Sequence, residues 1–510
     1  MSLIKTIVRS GILPLSSNKR AANQQLKTLR KLLAKAHDTA FGREYNFIDI
    51  LNSDDLVKSY QELVPVNNYL SIKKWWQRSF DGEKSVCWPG KTSYFALSSG
   101  TTDSASKYIP VSNDMRKRLT RASLKQIIHI GRSKNIPRNT LSKHSLMIGG
   151  STDLHYNGTN YSGDLSGITT GNVPFWFEPF SKPDNETRKK RNWQDKINEI
   201  VNEAPNWDVG MVAGVPAWVQ IIFERIIEKY NLNTIHDLWP NLKVYIHGGV
   251  SLDPYKKSLE KLFGQKVYYY ETYLASEGFI AQQTSDEAKS MKLLVKNGIF
   301  YEFIPFNEKN FTEDGELRDN PEVVWLEDVR QGEEYALLIS TCSGAWRYMI
   351  GDTIKFVNKR NLEIKITGRT KHFLSLCGEH LSVDNMNTAI VKLADELQQP
   401  INEFSVAGIR HEGLFGHHWF ISLNESVKVS KAHIKQRIDD LLKDLNDDYA
   451  VERKHALKDI KVDVYPSEVF LDFMRQRGKE GGQNKFPRVM KMELYEEWVK
   501  YLEQHAQTIS

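Results

Sequence analysis

Cysteine is scarce in this chain. Three residues, Cys87, Cys342 and Cys377, are spread over 510 positions, and no Cys-x-x-Cys pair occurs. That pattern supports neither a disulfide framework nor a cysteine zinc site, and it favours a reducing compartment. No uninterrupted apolar run approaches the about 18 residues of a membrane span. Met1–Leu15 has only a short apolar stretch, broken by Pro14, which makes a poor signal peptide. A cytoplasmic protein is therefore expected, with no membrane partner. Charge of one sign is not in excess either. A net charge of +6 suits an enzyme that handles anions but does not announce a nucleic-acid binder. Repeats and long low-complexity tracts are absent. With 40% hydrophobic and 26% charged residues the composition is that of a globular protein, and the length calls for at least two domains.

Residues 22–38 place Leu26, Leu29, Leu32, Leu33 and Ala36 at helical spacing. From Trp207 to Ala281 apolar strands alternate with helical stretches. Helices are expected over Val215–Tyr230 and Pro254–Phe263, and strands over Leu242–Ile246 and Val267–Tyr270. Such alternation argues for an α/β layered sheet. Strands dominate from Lys292 to Ile366. Beyond Thr367-Gly368-Arg369 the pattern changes to a compact α+β arrangement, with helices near 383–397 and 430–446.

Four stretches carry candidate chemistry. Ser98-Ser99-Gly100-Thr101-Thr102 leads on to Lys107. Small residues admit an anion close to the backbone, hydroxyls add donors, and Lys107 adds a point charge. This is not the Gly-x4-Gly-Lys-Ser/Thr phosphate loop, and the competing reading is a polar turn between strands. Tyr270–Gly278 follows a buried strand at the carboxyl end, where α/β sheets bind ligands. There Glu277 could hold Mg²⁺ and Tyr273 could stack on a base; a solvated glutamate is the plain alternative. In Trp346–Asp352, Asp352 could accept both hydroxyls of a ribose, or be an ordinary turn aspartate. In Gly481–Arg488, Lys485 sits on a glycine-flexed loop, or is simply a surface lysine.

The order of these stretches resembles that in adenylate-forming enzymes, a group that includes acyl-CoA ligases, luciferases and adenylation domains. Within it the chain looks most like the auxin-responsive acyl acid amido synthetases. Lys107 lies five residues after Thr102, a spacing typical of that subgroup. Ala275-Ser276-Glu277 resembles its Tyr-x-x-Ser-Glu signature, and Gln483–Arg488 is similar to its Gln-Tyr-Lys-Val-Pro-Arg stretch. The likeness covers nearly the whole chain. There are departures: Ser104 replaces a usual glycine, and Met349 replaces the arginine of Tyr-Arg-x-Gly-Asp, with Arg347 two residues earlier.

The resemblance implies an α/β fold. It comprises a large N-terminal domain over 1–366, of layered sheets plus a β-barrel-like part, and a smaller mobile α+β C-terminal domain over 367–510. It implies ATP as substrate, AMP as product, Mg²⁺ as cofactor, and a carboxylic acid and an amine, expected to be an amino acid, as partners. Catalysis would fall to Lys485, Glu277 and Ser276, with Glu277 on the metal. Ser98, Ser99, Gly100, Thr101, Thr102, Lys107, Gly248, Gly249, Tyr273, Asp352 and Arg369 would bind nucleotide, and Thr367, Gly368 and Arg369 would form a hinge. A monomer is expected. The alternatives are a ligase with a thiol acceptor and a non-catalytic nucleotide-binding relative. The basic stretch with Arg116, Lys117, Arg118 and Arg121 reads as a solvated helix face, or as help in receiving the carboxylate. The histidines His247, His380, His411, His417 and His418 have no metal spacing and read as structural.

Overall fold

The alternating segments build sheets. The structure, a computed structural model, describes residues 18–98, 107–171, 173, 177–312, 315–370, 374, 376, 379, 381–411, 414–423, 429–446, 449–450, 453, 457–479 and 485–509. The chain folds into two compact units. The first holds 1–250, 262–305 and 322–366; the second holds 251–261, 306–321 and 367–510. Two excursions of the chain, 251–261 and 306–321, thus belong to the second unit.

In the first unit, helix α1 (Asn18–Ala36) buries Leu29, Leu32, Leu33 and Ala36 in one large core. Strands β1 (Tyr94–Ser98) and β2 (Lys107–Val111) form an antiparallel pair. They share a small sheet with β4 (His155–Tyr156) and β5 (Tyr161–Gly163). Helix α2 (Asn113–Arg132) starts at Ser112, whose hydroxyl accepts from the Met115 amide at 3.1 Å, an N-cap that satisfies an otherwise orphaned donor.

A twelve-stranded sheet carries the rest. Its parallel half comprises β6 (Ser181–Lys182), β3 (His144–Met147), β7 (Val209–Ala213), β8 (Val244–Gly248) and β9 (Tyr268–Ala275), in that spatial order. From β9 it continues through β10 (Gly278–Gln282), β11 (Met291–Leu293), β16 (Glu363–Arg369), β15 (Tyr348–Asn358), β14 (Glu334–Thr341), β12 (Ile299–Pro305) and β13 (Val324–Trp325). The expected strand at Val267–Tyr270 is longer than the sequence suggests. Polar Glu271 and Thr272 interrupt the apolar run, but pairing with β8 on one side and β10 on the other carries β9 on to Ala275.

The second unit has a four-stranded sheet, ordered β19 (Leu457–Tyr465), β18 (Leu414–Ser422), β17 (Phe404–His411), β20 (Val489–Met490). Successive strand residues face opposite sides. Trp419 accordingly enters a core with helices α4 (Val383–Leu397) and α5 (Lys431–Leu445). Its neighbour Phe420 enters a second core, with α6 (Ser467–Gln476) and α7 (Met492–Ile509). Helix α3 (Asp253–Leu262) falls almost wholly in this unit as well. Among the described residues no helix is long and apolar enough to cross a membrane.

One buried ion pair stitches the first unit together. Arg347 and Glu302 are 4% and 1% exposed, with Nε–Oε distances of 3.1 and 3.2 Å. Arg347 also donates to the carbonyls of Gln61 and Val64, at 2.8 and 2.7 Å. Its φ of +42° is a left-handed conformation rare for a large side chain. The bonds hold that strained backbone in place. Arg347→Ala leaves a buried carboxylate uncompensated and is expected to cost about 3–5 kcal/mol in urea unfolding. The double change Arg347→Met with Glu302→Leu removes both charges and should cost clearly less than the single one.

Candidate functional site

Parallel strands put their carboxyl ends on one side, and here that side is rich in glycine. Gly149 and Gly150 follow β3, Gly214 follows β7, and Gly248 and Gly249 close β8. At Gly248 a Cβ would stand 2.5 Å from the Thr272 carbonyl oxygen, so no side chain fits against β9 there. Gly249 has φ +83°, which favours glycine. Thr272 Oγ1 donates to the His247 carbonyl at 2.9 Å and fixes the same edge. Gly248 thus packs directly against β9, while the exposed Gly249 leaves a backbone shelf without a side chain at the end of β8.

Strands β9 and β10 form a hairpin whose tip is Ser276–Glu277, with Gly278↔Ala275 as the first pair. Glu277 is buried at 8% exposure, and Ser276 is half-buried. A single glutamate suits Mg²⁺, which takes one or two carboxylates and completes its shell with phosphate and water oxygens. Among the described residues no group of three or more His, Cys, Asp or Glu forms a metal cage.

Tyr273 lies four residues before Glu277 and is 5% exposed. Its hydroxyl donates to Asp352 Oδ2 at 2.5 Å. Asp352 occupies a bulge in β15: pairing with β14 jumps from Ala336↔Thr353 to Leu338↔Met349, so Ile350–Asp352 face Leu337 alone. Gly351, at φ +93°, permits this. In a flat sheet, four steps of ~4.8 Å would hold β15 and β9 roughly 19 Å apart. The bond therefore requires the sheet to curl, and the curl brings Gly248, Tyr273 and Asp352 into one region of the first unit.

Lys107 opens β2 opposite Ser98, which closes β1. Its Nζ lies 5.4 Å from the Tyr69 ring centroid, a cation–π contact that parks the ammonium at the base of the hydroxyl-rich loop. Ser99, Gly100, Thr101 and Thr102 lie outside the described residues, as does the Ser98 side chain. Thr367, Gly368 and Arg369 form the last three residues of β16, so in this conformation the expected hinge is extended strand.

In the second unit Lys485 is exposed, and its neighbours are anchored. Phe486 is buried, with ring centroids 5.0 Å from both Phe470 and Trp498. The Pro487 carbonyl accepts from Ser405 Oγ at 2.6 Å. Arg488 donates to Glu403 Oε2 at 2.9 Å and to the Phe404 carbonyl at 3.0 Å, and its guanidinium lies 4.4 Å from the Phe404 ring centroid. The Tyr255 hydroxyl donates to Glu403 from α3. Arg488 stands in a sequence motif without a role of its own there, and no motif marks Tyr255 or Glu403, which lie 148 residues apart. Only the long helical excursion of 251–261 joins them.

Arg347 is buried and serves packing: its Nε is engaged by Glu302 and its Nη1 by two carbonyls. Cys87 and Cys342 are buried free thiols. Burial pushes the Cys342 thiol up to about 12, so it is not activated. Cys377 lies outside the described residues. His417 pairs with Glu379 and His418 with Asp463, each at 2.9 Å.

Family models match most of the chain: the GH3 family N-terminal domain over residues 15–155 and 151–267, the central domain over 292–369 and the C-terminal domain over 384–493. The chain belongs to the GH3 family. The Tyr270–Gly278 hairpin falls between two matched segments; the other candidate residues fall within them. Among GH3 relatives, a jasmonoyl–L-amino acid synthetase (JAR4) of Nicotiana attenuata is 22% identical over 444 residues, covering 71% of this chain and 73% of that protein. A second jasmonoyl–L-amino acid synthetase (GH3.5), from Oryza sativa subsp. japonica, is 30% identical over 160 residues, 29% of this chain and 27% of its own length. The solved GH3.15 acyl acid amido synthetase in complex with 2,4-DB has the same fold, with TM-score 0.77, 16% identity, and coverage of 99% of this chain and 96% of that one. A 2-hydroxyisobutyryl-CoA ligase in its postadenylation state shares the fold at TM-score 0.62 and 12% identity, covering 98% and 97%.

The GH3 shelf makes a direct test available. Gly248→Ala drives a methyl into the Thr272 carbonyl and should lower unfolding free energy by about 1–3 kcal/mol. Thermal melts of the variant beside wild type check it, and an unchanged melting temperature would contradict the close approach of β8 and β9.

Proposed function

We propose that this GH3 chain is an ATP-dependent acyl acid amido synthetase. It adenylates a carboxylic acid and then passes the acyl group to an amine, an amino acid by the names of its relatives. The observation that carries the reading is the run of GH3 domain matches along nearly the whole chain, in relatives named as amino acid synthetases. The Tyr273–Asp352 bond supports it, because it gathers two candidate nucleotide groups from distant strands. The acid itself is not transferred from those names.

The chemistry has a physical reason. A carboxylate resists an amine because oxide is a poor leaving group. Its oxygen therefore attacks the α-phosphorus of ATP and pyrophosphate leaves. The amine nitrogen then attacks the acyl carbon, the C–O bond to AMP breaks, and the amine loses a proton. In this reading Ser98, Ser99, Thr101 and Thr102 cradle phosphates, with Lys107 at the base of their loop. Ser276 hydrogen-bonds the α-phosphate. The adenine lies on the Gly248–Gly249 shelf; Tyr273, at 5% exposure, offers no face for stacking and instead orients Asp352, which holds the ribose. Glu277 would hold Mg²⁺, which supplies charge neutralisation at the phosphates when bound. Lys485 stabilises the charge passing between carboxylate and phosphate. Residues 367–510, moving together with the 251–261 helix, act as a mobile unit that brings Lys485 to the nucleotide, with Thr367–Arg369 as the hinge.

Carboxylate-dependent ATP–pyrophosphate exchange tests this over aryl, indolyl and fatty acids. One acid class should support exchange, and Lys485→Ala should depress it by about 100-fold or more. The same variant should still form amide from supplied acyl-adenylate; equal loss in both half-reactions would remove Lys485 from the adenylation step. ATP binding without exchange for any acid would favour a non-catalytic relative. Turnover with CoA in place of amino acids would favour the thiol-acceptor alternative.

A further inference from the structure

Helix α1 has a second face besides its buried leucines. Lys31 and Lys35 project from that side, one turn apart. They border a cavity of about 400 Å³ in the first unit. Across it stand Arg118, Arg121 and Lys125, which share a face of α2 at helical spacing. Lys296, in the loop from β11 to β12, supplies a sixth cation. None of the lining residues belongs to the candidate nucleotide site.

Three separate elements border one concavity with cations, Arg118 and Lys125 half-buried and Lys31, Lys35, Arg121 and Lys296 exposed, and their frame is fixed. Gln25, fully buried, donates from Nε2 to the carbonyls of Val295 and Ile299 at 3.0 Å and accepts from the Tyr301 amide at 2.8 Å. That locks α1 to the strand that follows Gly298. The Ser112 amide donates to Ser343 Oγ at 2.8 Å, holding the start of α2 to the turn after β14. Gly298, at φ +75°, forms part of the wall. A Cβ there would stand 2.8 Å from Cys342 Sγ and 3.3 Å from Arg118 Cγ.

The charges do not cancel. Asp114 is the one carboxylate in the lining, and it is taken by Lys35 and by Trp88 Nε1, which donates to it at 2.9 Å. Among the described residues no ion pair engages Lys31, Arg118, Arg121, Lys125 or Lys296. Burial, and then the nearby Lys296, Arg118 and Arg121, hold the Lys125 ammonium below the ordinary lysine range. Like charges kept close with no counter-ion cost stability, and a multivalent anion removes that cost. Arginine forks suit phosphoryl oxygens in particular.

We propose that this pocket is a second anion site, separate from the adenylate site, which takes a compact ligand bearing two or more phosphate groups. The concavity and the fixed frame favour a small ligand over a nucleic acid or a lipid surface. Two arginines with three lysines favour clustered phosphates over a single carboxylate.

The test is calorimetric titration of the full chain with inorganic tripolyphosphate, without divalent metal and at constant ionic strength. Lys107→Ala, which removes the cation at the base of the candidate phosphate loop, should bind as wild type does. Arg121→Ala with Lys296→Ala should weaken binding about tenfold or more, while the charge-preserving pair Arg121→Lys with Lys296→Arg keeps most of it. Without ligand, the double alanine variant should melt no lower than wild type, because repulsion is relieved. Equal binding by the double alanine variant, or loss of binding in Lys107→Ala, would overturn the proposal. So would orthophosphate matching tripolyphosphate, or binding of duplex DNA or anionic vesicles with none of tripolyphosphate.

Discussion

The curl of the twelve-stranded sheet is the constraint on which the first unit depends. Sheets twist because strands do, but ordinary twist does not bring strands four places apart into hydrogen-bond contact. Here a three-residue bulge in β15 and the long β9–β10 hairpin let Tyr273 reach Asp352. Bulges bend strands and re-aim side chains. The local irregularity at Gly351 is thus what turns two remote motifs into neighbours. The β-barrel-like part implied by resemblance corresponds to this curled, largely antiparallel half, which is continuous with the parallel half through β9.

Behind that curl lies a buried ion pair. Glu302 and Arg347 sit where hydrocarbon would be expected, and they are tolerated because both Glu302 oxygens and the Arg347 Nε and Nη1 are engaged. The pair joins β12 to the residue that leads into β15. It also ties both to Gln61 and Val64, from the helical region ahead of the first strand. The departure of Met349 from the usual motif is therefore not made good by Arg347. That arginine serves packing, and Asp352 has the Tyr273 hydroxyl as a partner.

The second unit treats its candidate lysine differently. Lys485 is exposed, while the next three residues are held by an aromatic cluster, a backbone hydrogen bond and the Arg488–Glu403–Tyr255 group. Burial holds the Tyr255 phenol above its ordinary range, beside the Glu403 carboxylate. A reactive cation on a stiff base loses less entropy when it engages a ligand than one on a loose loop. Such anchoring fits the role proposed for Lys485.

Much was legible from the chain itself. Helical spacing located α1 within a few residues, because one-sided burial imposes a 3.6-residue period that survives in the sequence, and the helices expected near 383–397 and 430–446 match α4 and α5. The strand–helix alternation pointed to the α/β half, and the ordered motifs pointed to the family. The length of β9 was not legible, since pairing on both edges supports polar residues that a local pattern excludes. Nor was the role of Arg347, whose partner Glu302 is 45 residues away. The basic pocket was half visible, as a charged helix face, but its closing lysines lie on other elements. Local pattern records what each segment buries. Which polar and charged groups meet across segments depends on strand order, bulges and curl, and only the tertiary structure decides those.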